Sequence, residues 1–293
     1  MIAEEILKKI KRIEIISRKT ARDIFAGEYH SAFKGRGMEF SQVREYQAGD
    51  DSRFIDWNVS SRLGRLYVKQ FVEERELTII LALDLSASLR FASALKSKKE
   101  VAAELSALIA FTAMLNNDKV GLLLFSDQVE LYIPPQKGRT HLLRLIRDII
   151  EFKPQGRGTS ILNALAYLNR LIKKKAVVFL ISDFLDEGYD TALKIASRKH
   201  DLIAIDIADR GELSPPRRGN FFFRDLESRE IFSADFGRPE TRRDFLRVRG
   251  EISRRRKELF RNYGIDSLAI RSDQDYEKPL FDLFLKRKKK IAR

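Results

Sequence analysis

From residue 76 onward the chain alternates between two periodicities, and that alternation constrains its fold more than any other feature. Short runs rich in Val, Ile and Leu occur at Leu77–Asp84, Val120–Phe125, Val177–Asp183, Leu202–Asp206 and Ile265–Ile270. Between them, Lys98–Leu115, Thr140–Phe152, Ser160–Lys174 and Tyr189–Lys199 space their apolar residues at helical intervals. Strands that are apolar without alternation are buried on both faces, as in a parallel sheet. Strand and helix in alternation then predict an α/β fold: a mostly parallel sheet flanked by helices and joined by right-handed crossovers. Val129–Ile133, following Ser126-Asp-Gln, reads as a hairpin-like edge strand, so the sheet is expected to be mixed.

The flanking regions have a different character. Residues 1–75 read as an N-terminal helix with a small β-rich or irregular cap. Ile2, Ile6, Ile10 and Ile13 form one helical stripe, suited to packing on the domain or to lying on a membrane surface. Gly35, Gly37, Gly49 and Gly64 then punctuate short segments before Leu66–Val72, which alternates like a strand. Residues 76–272 form the main α/β domain. Within it, 211–237 is a small two-stranded excursion opened by Pro215-Pro216, with strands at Asn220–Arg224 and Glu230–Ser233, followed by a long basic helix at Arg238–Asn262. Residues 273–293 start a final helix that is expected to decay into the run Lys286-Arg-Lys-Lys-Lys290.

The chain has 293 residues, no cysteine and three histidines. Without cysteine there are no disulfides, thiolate metal sites or cysteine nucleophiles, which suits a reducing cytoplasm. His30, His141 and His200 are scattered, which argues against a zinc site and against a Ser-His-Asp triad. His200 reads as a packed or hydrogen-bonded histidine. No apolar run approaches the roughly 20 residues that span a bilayer, and a cytoplasmic location is expected. The net charge is +14, and residues 210–293 hold 23 Lys and Arg against 14 Asp and Glu. Such asymmetry suits a nucleic-acid or anionic-surface partner. A solvated helix face with a frayed tail is the simpler account, and no base-reading motif is interleaved with the basic residues.

The chemistry concentrates at Asp84-Leu-Ser86-Ala-Ser88, where the first apolar run stops. A carboxylate and two hydroxyls are hard oxygen donors of the kind Mg²⁺ prefers. Ligands of open α/β sheets bind beyond the carboxyl ends of the strands. Taken alone, this motif reads as a helix cap. Thr159, in the loop Gln155-Gly-Arg-Gly-Thr159, and Asp183, ending its own strand, are expected at the same sheet edge. Together the five residues make a hard-oxygen set with few formal charges.

Asp84-x-Ser86-x-Ser88 with Thr159 and Asp183 resembles the metal-ion-dependent adhesion site of von Willebrand factor A domains. The resemblance implies direct binding of Mg²⁺ (or Mn²⁺ or Ca²⁺) by Ser86 and Ser88. It gives Thr159 and Asp183 direct or water-mediated contact and Asp84 contact mostly through water, with a partner's carboxylate filling the open position. Gly-Arg-Gly-Thr departs from that family's usual Gly-Gly-Thr without removing a ligand. A second resemblance covers nearly the whole chain. Gly35–Trp57, with Glu39, Arg44, Tyr46, Gly49, Asp50, Asp51, Arg53 and Asp56, is similar to the signature of the bacterial family called domain of unknown function fifty-eight. Ser182-Asp183-Phe184 and Lys199-His200-Asp201-Leu-Ile-Ala-Ile match that family as well. The family pairs its signature with a von Willebrand factor A-like domain, and its genes often neighbour those of MoxR-type AAA+ ATPases. An adaptor or chaperone-like role beside such an ATPase is implied.

Read from its residues, Gly49-Asp50-Asp51 is turn chemistry. Asp51, Arg53 and Asp56 suit an ion-pair and capping network, Arg44, Arg53 and Arg62 are expected to answer the carboxylates, and Trp57 is expected as a buried anchor. Paired carboxylates also serve as acid and base, but no histidine accompanies them. The chain lacks a P-loop, and it lacks the second aspartate of haloacid-dehalogenase-type phosphatases. The expectation is therefore a non-catalytic interaction module. Its alternatives are nucleic-acid or anionic-surface binding, including peripheral membrane association, and metal-dependent hydrolysis using Asp84 and Asp183.

Overall fold

The computed structural model describes residues 11, 14–17, 19–21, 29, 39–72, 76–93, 96–214 and 219–291. It separates into two compact units, Phe33–Leu77 and the remainder.

In the smaller unit, β1 (Glu39–Glu45) pairs antiparallel with β2 (Tyr67–Val72). Between them lies α1 (Trp57–Leu63). Asp56 caps this helix by accepting from the backbone N–H groups of Asn58 and Val59, and Gly64 ends it in the left-handed region at φ 67°. The expected ion-pair network is present in part. The Arg44 guanidinium grips the Asp50 carboxylate through two bonds of 2.7 Å, and Arg53 pairs with Asp51 at 2.6 Å. Arg62 has no carboxylate within ion-pair distance among the described residues. Trp57 corrects the expectation of a buried anchor, because it is 67% exposed. The reason is size: among the unit's described side chains only Ser60 and Val68 are buried, too little to cover an indole.

The larger unit runs β3 (Thr78–Asp84), α2 (Lys98–Leu115), β4 (Lys119–Phe125), β5 (Val129–Gln136), α3 (Arg139–Glu151), α4 (Ile161–Leu171), β6 (Val177–Ser182), α5 (Asp190–Lys199) and β7 (Asp201–Ala208). A single helical turn at Arg210–Leu213 leads to the hairpin β8 (Asn220–Arg224) and β9 (Ile231–Asp235). Then follow α6 (Pro239–Asn262), β10 (Asp266–Arg271) and α7 (Glu277–Ile291). Six strands form one sheet in the order β10-β7-β6-β3-β4-β5. Every neighbouring pair is parallel except β4–β5, as a mostly parallel, mixed sheet requires.

The strands are core by composition. Ile79 through Leu83 are wholly buried, and each such side chain is worth roughly 1.5–3 kcal/mol over its exposed state. Alternate residues serve opposite layers: Ile80, Ala82, Val178 and Leu180 pack with the buried faces of α4 and α5, while α2 packs with α3. At the sheet edge, β5 carries Pro134 and Pro135, and the Pro135 ring closes against Gly121 of β4.

Two end regions need comment. The isoleucine stripe at Ile2, Ile6, Ile10 and Ile13 lies outside the described residues; Lys11, residues 14–17, Lys19 and Thr20 are helical. The final helix does not decay at Leu285 but continues to Ile291. Arg287 explains this, since it is 6% exposed and forks between Asp201 and Asp266. Part of the basic run is thus structural. Among the described residues no helix is long and apolar enough to cross a membrane.

Candidate functional site

The chain leaves β3 toward β4 on one side, and later reaches β6 on the other. The carboxyl ends of β3 and β6 therefore flank the point where strand order reverses, the usual crevice for ligands in open α/β sheets. Asp84 stands at the end of β3 and is fully buried. Its Oδ1 accepts from the Ser86 backbone N–H at 2.7 Å, and its Oδ2 accepts from the Ser182 hydroxyl at 2.7 Å. Burial, with the charge of Asp183 added, pushes the Asp84 carboxyl up to about 7 against the pull of those bonds.

Ser86 precedes the 3-10 turn Ala87–Arg90 but makes no side-chain cap hydrogen bond. The capping account thus covers Asp84, which ties the turn, and not Ser86. The Ser86 hydroxyl instead meets the Ser88 hydroxyl at 2.9 Å. Thr159 is likewise free of capping duty, because Ser160 caps α4. The Thr159 hydroxyl donates to Glu227 Oε1 at 3.0 Å, and Ser88 hydrogen-bonds the same carboxylate. Burial raises the Glu227 carboxyl, opposed by these two hydroxyls. The loop carrying Thr159 is clamped on both sides: Ala87 N–H donates to the Arg157 carbonyl, and Ser160 N–H to that of Ser126, each at 2.8 Å. Gly156 leaves room that a side chain would fill, since a Cβ would lie 1.7 Å from Asp127 Oδ1 and 2.3 Å from the Ser126 hydroxyl.

Asp183 follows β6 at the same edge, 3% exposed. Its Oδ2 accepts from Lys98 Nζ at 2.8 Å, and Lys98 donates also to Glu212 at 2.6 Å. Lys98 is wholly buried. Desolvation pulls its ammonium down, but Asp183 and Glu212 outweigh this and hold it above its ordinary value. Arg256 donates to the Asp183 carbonyl at 2.7 Å and pairs with Asp206. Burial lifts Asp206 to about 6 despite Arg256, and its Oδ1 has no hydrogen-bond partner among the described residues. A cavity of about 260 Å³ opens beside these groups, lined by Asp183, Asp206, Glu212, Arg249 and Arg256 among others.

All five residues expected from the sequence thus stand at one edge of the sheet. The fit to a hard divalent cation can be tested on the spacing. Octahedral oxygen ligands at about 2.0–2.1 Å lie about 2.9 Å apart along an edge. The Ser86–Ser88 and Thr159–Glu227 separations, 2.9 and 3.0 Å, match that spacing, which also suits a hydrogen bond. The carboxylates do not form a cage of their own: among the described residues no group of three His, Asp or Glu side chains could hold an ion. Ser86, Ser88 and Thr159 would make the direct contacts, with Asp84 behind them. Asp183 already has Lys98 as its cation.

Among the described residues no histidine stands beside this set. His200 ends α5 just ahead of β7, at the opposite end of the sheet, roughly 20 Å away by the length of a six-residue strand. It is 2% exposed, and its Nδ1 accepts from the Ala176 N–H at 3.3 Å. His141 is also at that end, hydrogen-bonded to the Val120 carbonyl at 2.8 Å, and His30 lies outside the described residues. Sequence reading missed Lys98, Glu212, Asp206, Arg256 and Glu227. The first sits one residue after a helix cap, and the others lie beyond the motif's spacing. The only available signal was an acidic turn, Asp225-Leu-Glu227, inside a basic segment.

Among protein families, one described as a protein of unknown function, DUF58, matches residues 42–255. The uncharacterized protein Rv1480 of Mycobacterium tuberculosis is 28% identical over 276 residues, covering 91% of this chain and 85% of that protein. The solved structures that resemble this one include two from Bacteroides species. The conserved hypothetical protein BatB from Bacteroides thetaiotaomicron is 16% identical with a TM-score of 0.47, covering 73% of this chain and 99% of that one. An aerotolerance-related membrane protein from Bacteroides fragilis is 16% identical with a TM-score of 0.46 and the same coverage.

Proposed function

The chain belongs to the DUF58 family, and on that premise we propose that it is a non-catalytic docking module of von Willebrand factor A-like fold. Its Ser86, Ser88 and Thr159 hold a divalent cation, Mg²⁺ in the first instance, through which an acidic side chain of another protein is captured. One observation carries the reading. Hydroxyls from two loops, Ser88 and Thr159, meet a single carboxylate, that of Glu227, at the point where strand order reverses. A bound cation supplies charge for a carboxylate to neutralise. The chain's own groups supply the rest: Asp84 fixes the Ser86 turn, and Ser182 fixes Asp84. Hydrolysis finds less support, because Lys98 is committed to two carboxylates and both described histidines are at the far end of the sheet. The partner proposed is a MoxR-type AAA+ ATPase or its client, as the family resemblance implies.

The test is a pull-down of the purified MoxR-type ATPase by the tagged full chain, in millimolar Mg²⁺ and in EDTA. Capture should be lost in EDTA and in Asp84→Ala. Because Asp84 is buried, Ser88→Ala, at a half-buried position, is the companion variant. Unchanged capture in EDTA would overturn the metal-bridged mechanism.

A further inference from the structure

Glu227 sits in the middle of the site, against Thr159. It belongs to the turn joining β8 to β9. That turn is built rather than slack: Asp225 Oδ1 accepts from the N–H groups of Glu227 at 2.9 Å and Ser228 at 2.6 Å. The Arg229 N–H donates to the Asp225 carbonyl at 3.0 Å, and the Asp225 N–H to the Glu230 carbonyl at 2.9 Å. Between Arg224 and Glu230 every residue is exposed except Glu227, which is half-buried. Its carboxylate is the one that Thr159 and Ser88 share. At Gly158 there is no side chain between the loop and this carboxylate; a Cβ there would be 3.7 Å from Glu227 Oε2. A free surface turn has no reason to bury one acid and expose its neighbours. Hydroxyl donors aimed at it supply one.

We propose that Glu227 is the site's own acidic ligand: the β8–β9 hairpin occupies, within the chain, the position that a partner's carboxylate takes. The inference rests on the docking reading above and adds a gate to it. A partner reaches the site by displacing Glu227, so the hairpin swings away when docking occurs. The hairpin is equipped for such exposure at a modest cost, since Phe222, Ile231 and Phe232 are already 81%, 62% and 55% exposed.

The experiment uses the full chain, Mn²⁺ as the probe ion and acetate as the probe carboxylate. Mn²⁺ affinity is measured by titration calorimetry on the wild type and on Glu227→Gln, which keeps the side chain's shape in an exposed turn. Removing a charged ligand should weaken Mn²⁺ by roughly tenfold or more. Acetate methyl signals should broaden with the Mn²⁺-loaded variant, whose ligand position is vacated, and not with the loaded wild type. In hydrogen exchange, amides 225–230 should gain protection on adding Mg²⁺ only in the wild type. Mn²⁺ affinity unchanged by the substitution, with hairpin exchange indifferent to Mg²⁺, would overturn the gate while leaving the metal site intact. Failure of both proteins to bind Mn²⁺ would overturn the docking reading and the gate with it.

Discussion

Lys98→Met removes the buried cation that pairs with the Asp183 carboxylate. The side chain is wholly buried, and its ammonium joins Asp183, 3% exposed, to Glu212, 15% exposed, at 2.8 and 2.6 Å. Methionine fills nearly the same volume, so packing contributes little to the change. What remains is two carboxylates with their partner gone. Breaking a buried pair by removing one member costs about 3–5 kcal/mol. For a unit of this size each kcal/mol moves Tm by roughly 2–4 °C, so calorimetry or circular dichroism should show a fall of roughly 6–20 °C. The triple variant Lys98→Met with Asp183→Asn and Glu212→Gln, which leaves no orphaned charge, should recover most of it. From the lysine's side the pH dependence has a definite sign. The pairing raises the ammonium above its ordinary value, so its contribution is present at neutral pH and is lost as pH rises beyond the usual lysine range. A Tm within about 2 °C of wild type would refute this reasoning, as would a triple variant no more stable than the single one.

Two further outcomes follow from the same structure. Gly156→Ala forces a Cβ to within 2.3 Å of the Ser126 hydroxyl, which is buried and tied to Glu130 at 2.6 Å, whereas at Gly158 the nearest atom is 3.6 Å away. Gly156→Ala should cost about 1–3 kcal/mol in urea unfolding and weaken Mn²⁺, while Gly158→Ala should be near neutral; equal effects would show that the loop is not clamped as described. His200 is pushed down to about 4, chiefly by burial and then by Lys199. A group whose pKa is lowered by folding stabilises above its unfolded value, so stability should fall as pH drops from about 6.5 toward 4, by up to one proton's worth more than in His200→Asn; parallel pH profiles of the two proteins would rule out that contribution.

Much of the sheet could be read from the sequence because its signal is local. Within Thr78–Asp84 five apolar residues, Ile79–Leu83, run into an acid, and a buried strand ending at a site requires that order. Thr159 and Asp183 could be placed beside Asp84 because strand direction in a parallel sheet assigns every carboxyl end to one edge. The cation and the acid that complete the edge left no such trace. Lys98 reaches Asp183 across 85 residues and Glu227 reaches Thr159 across 68. Each lies in a segment whose own pattern speaks only of a helix start or a turn. Trp57 failed for a related reason. Aromatic size argues for burial only where enough neighbouring surface exists to cover it, and the smaller unit offers Ser60 and Val68.

The two prolines of β5 bear on how copies of this chain meet. A strand at the rim of a sheet offers its free backbone groups to any other strand that approaches. Pro134 and Pro135 have no N–H to offer, and they occupy consecutive positions, so the outward-facing and inward-facing sides of the rim each lose a donor. Growth of the sheet by strand exchange between molecules is thus interrupted on this flank, which leaves β10 as the sheet's other rim.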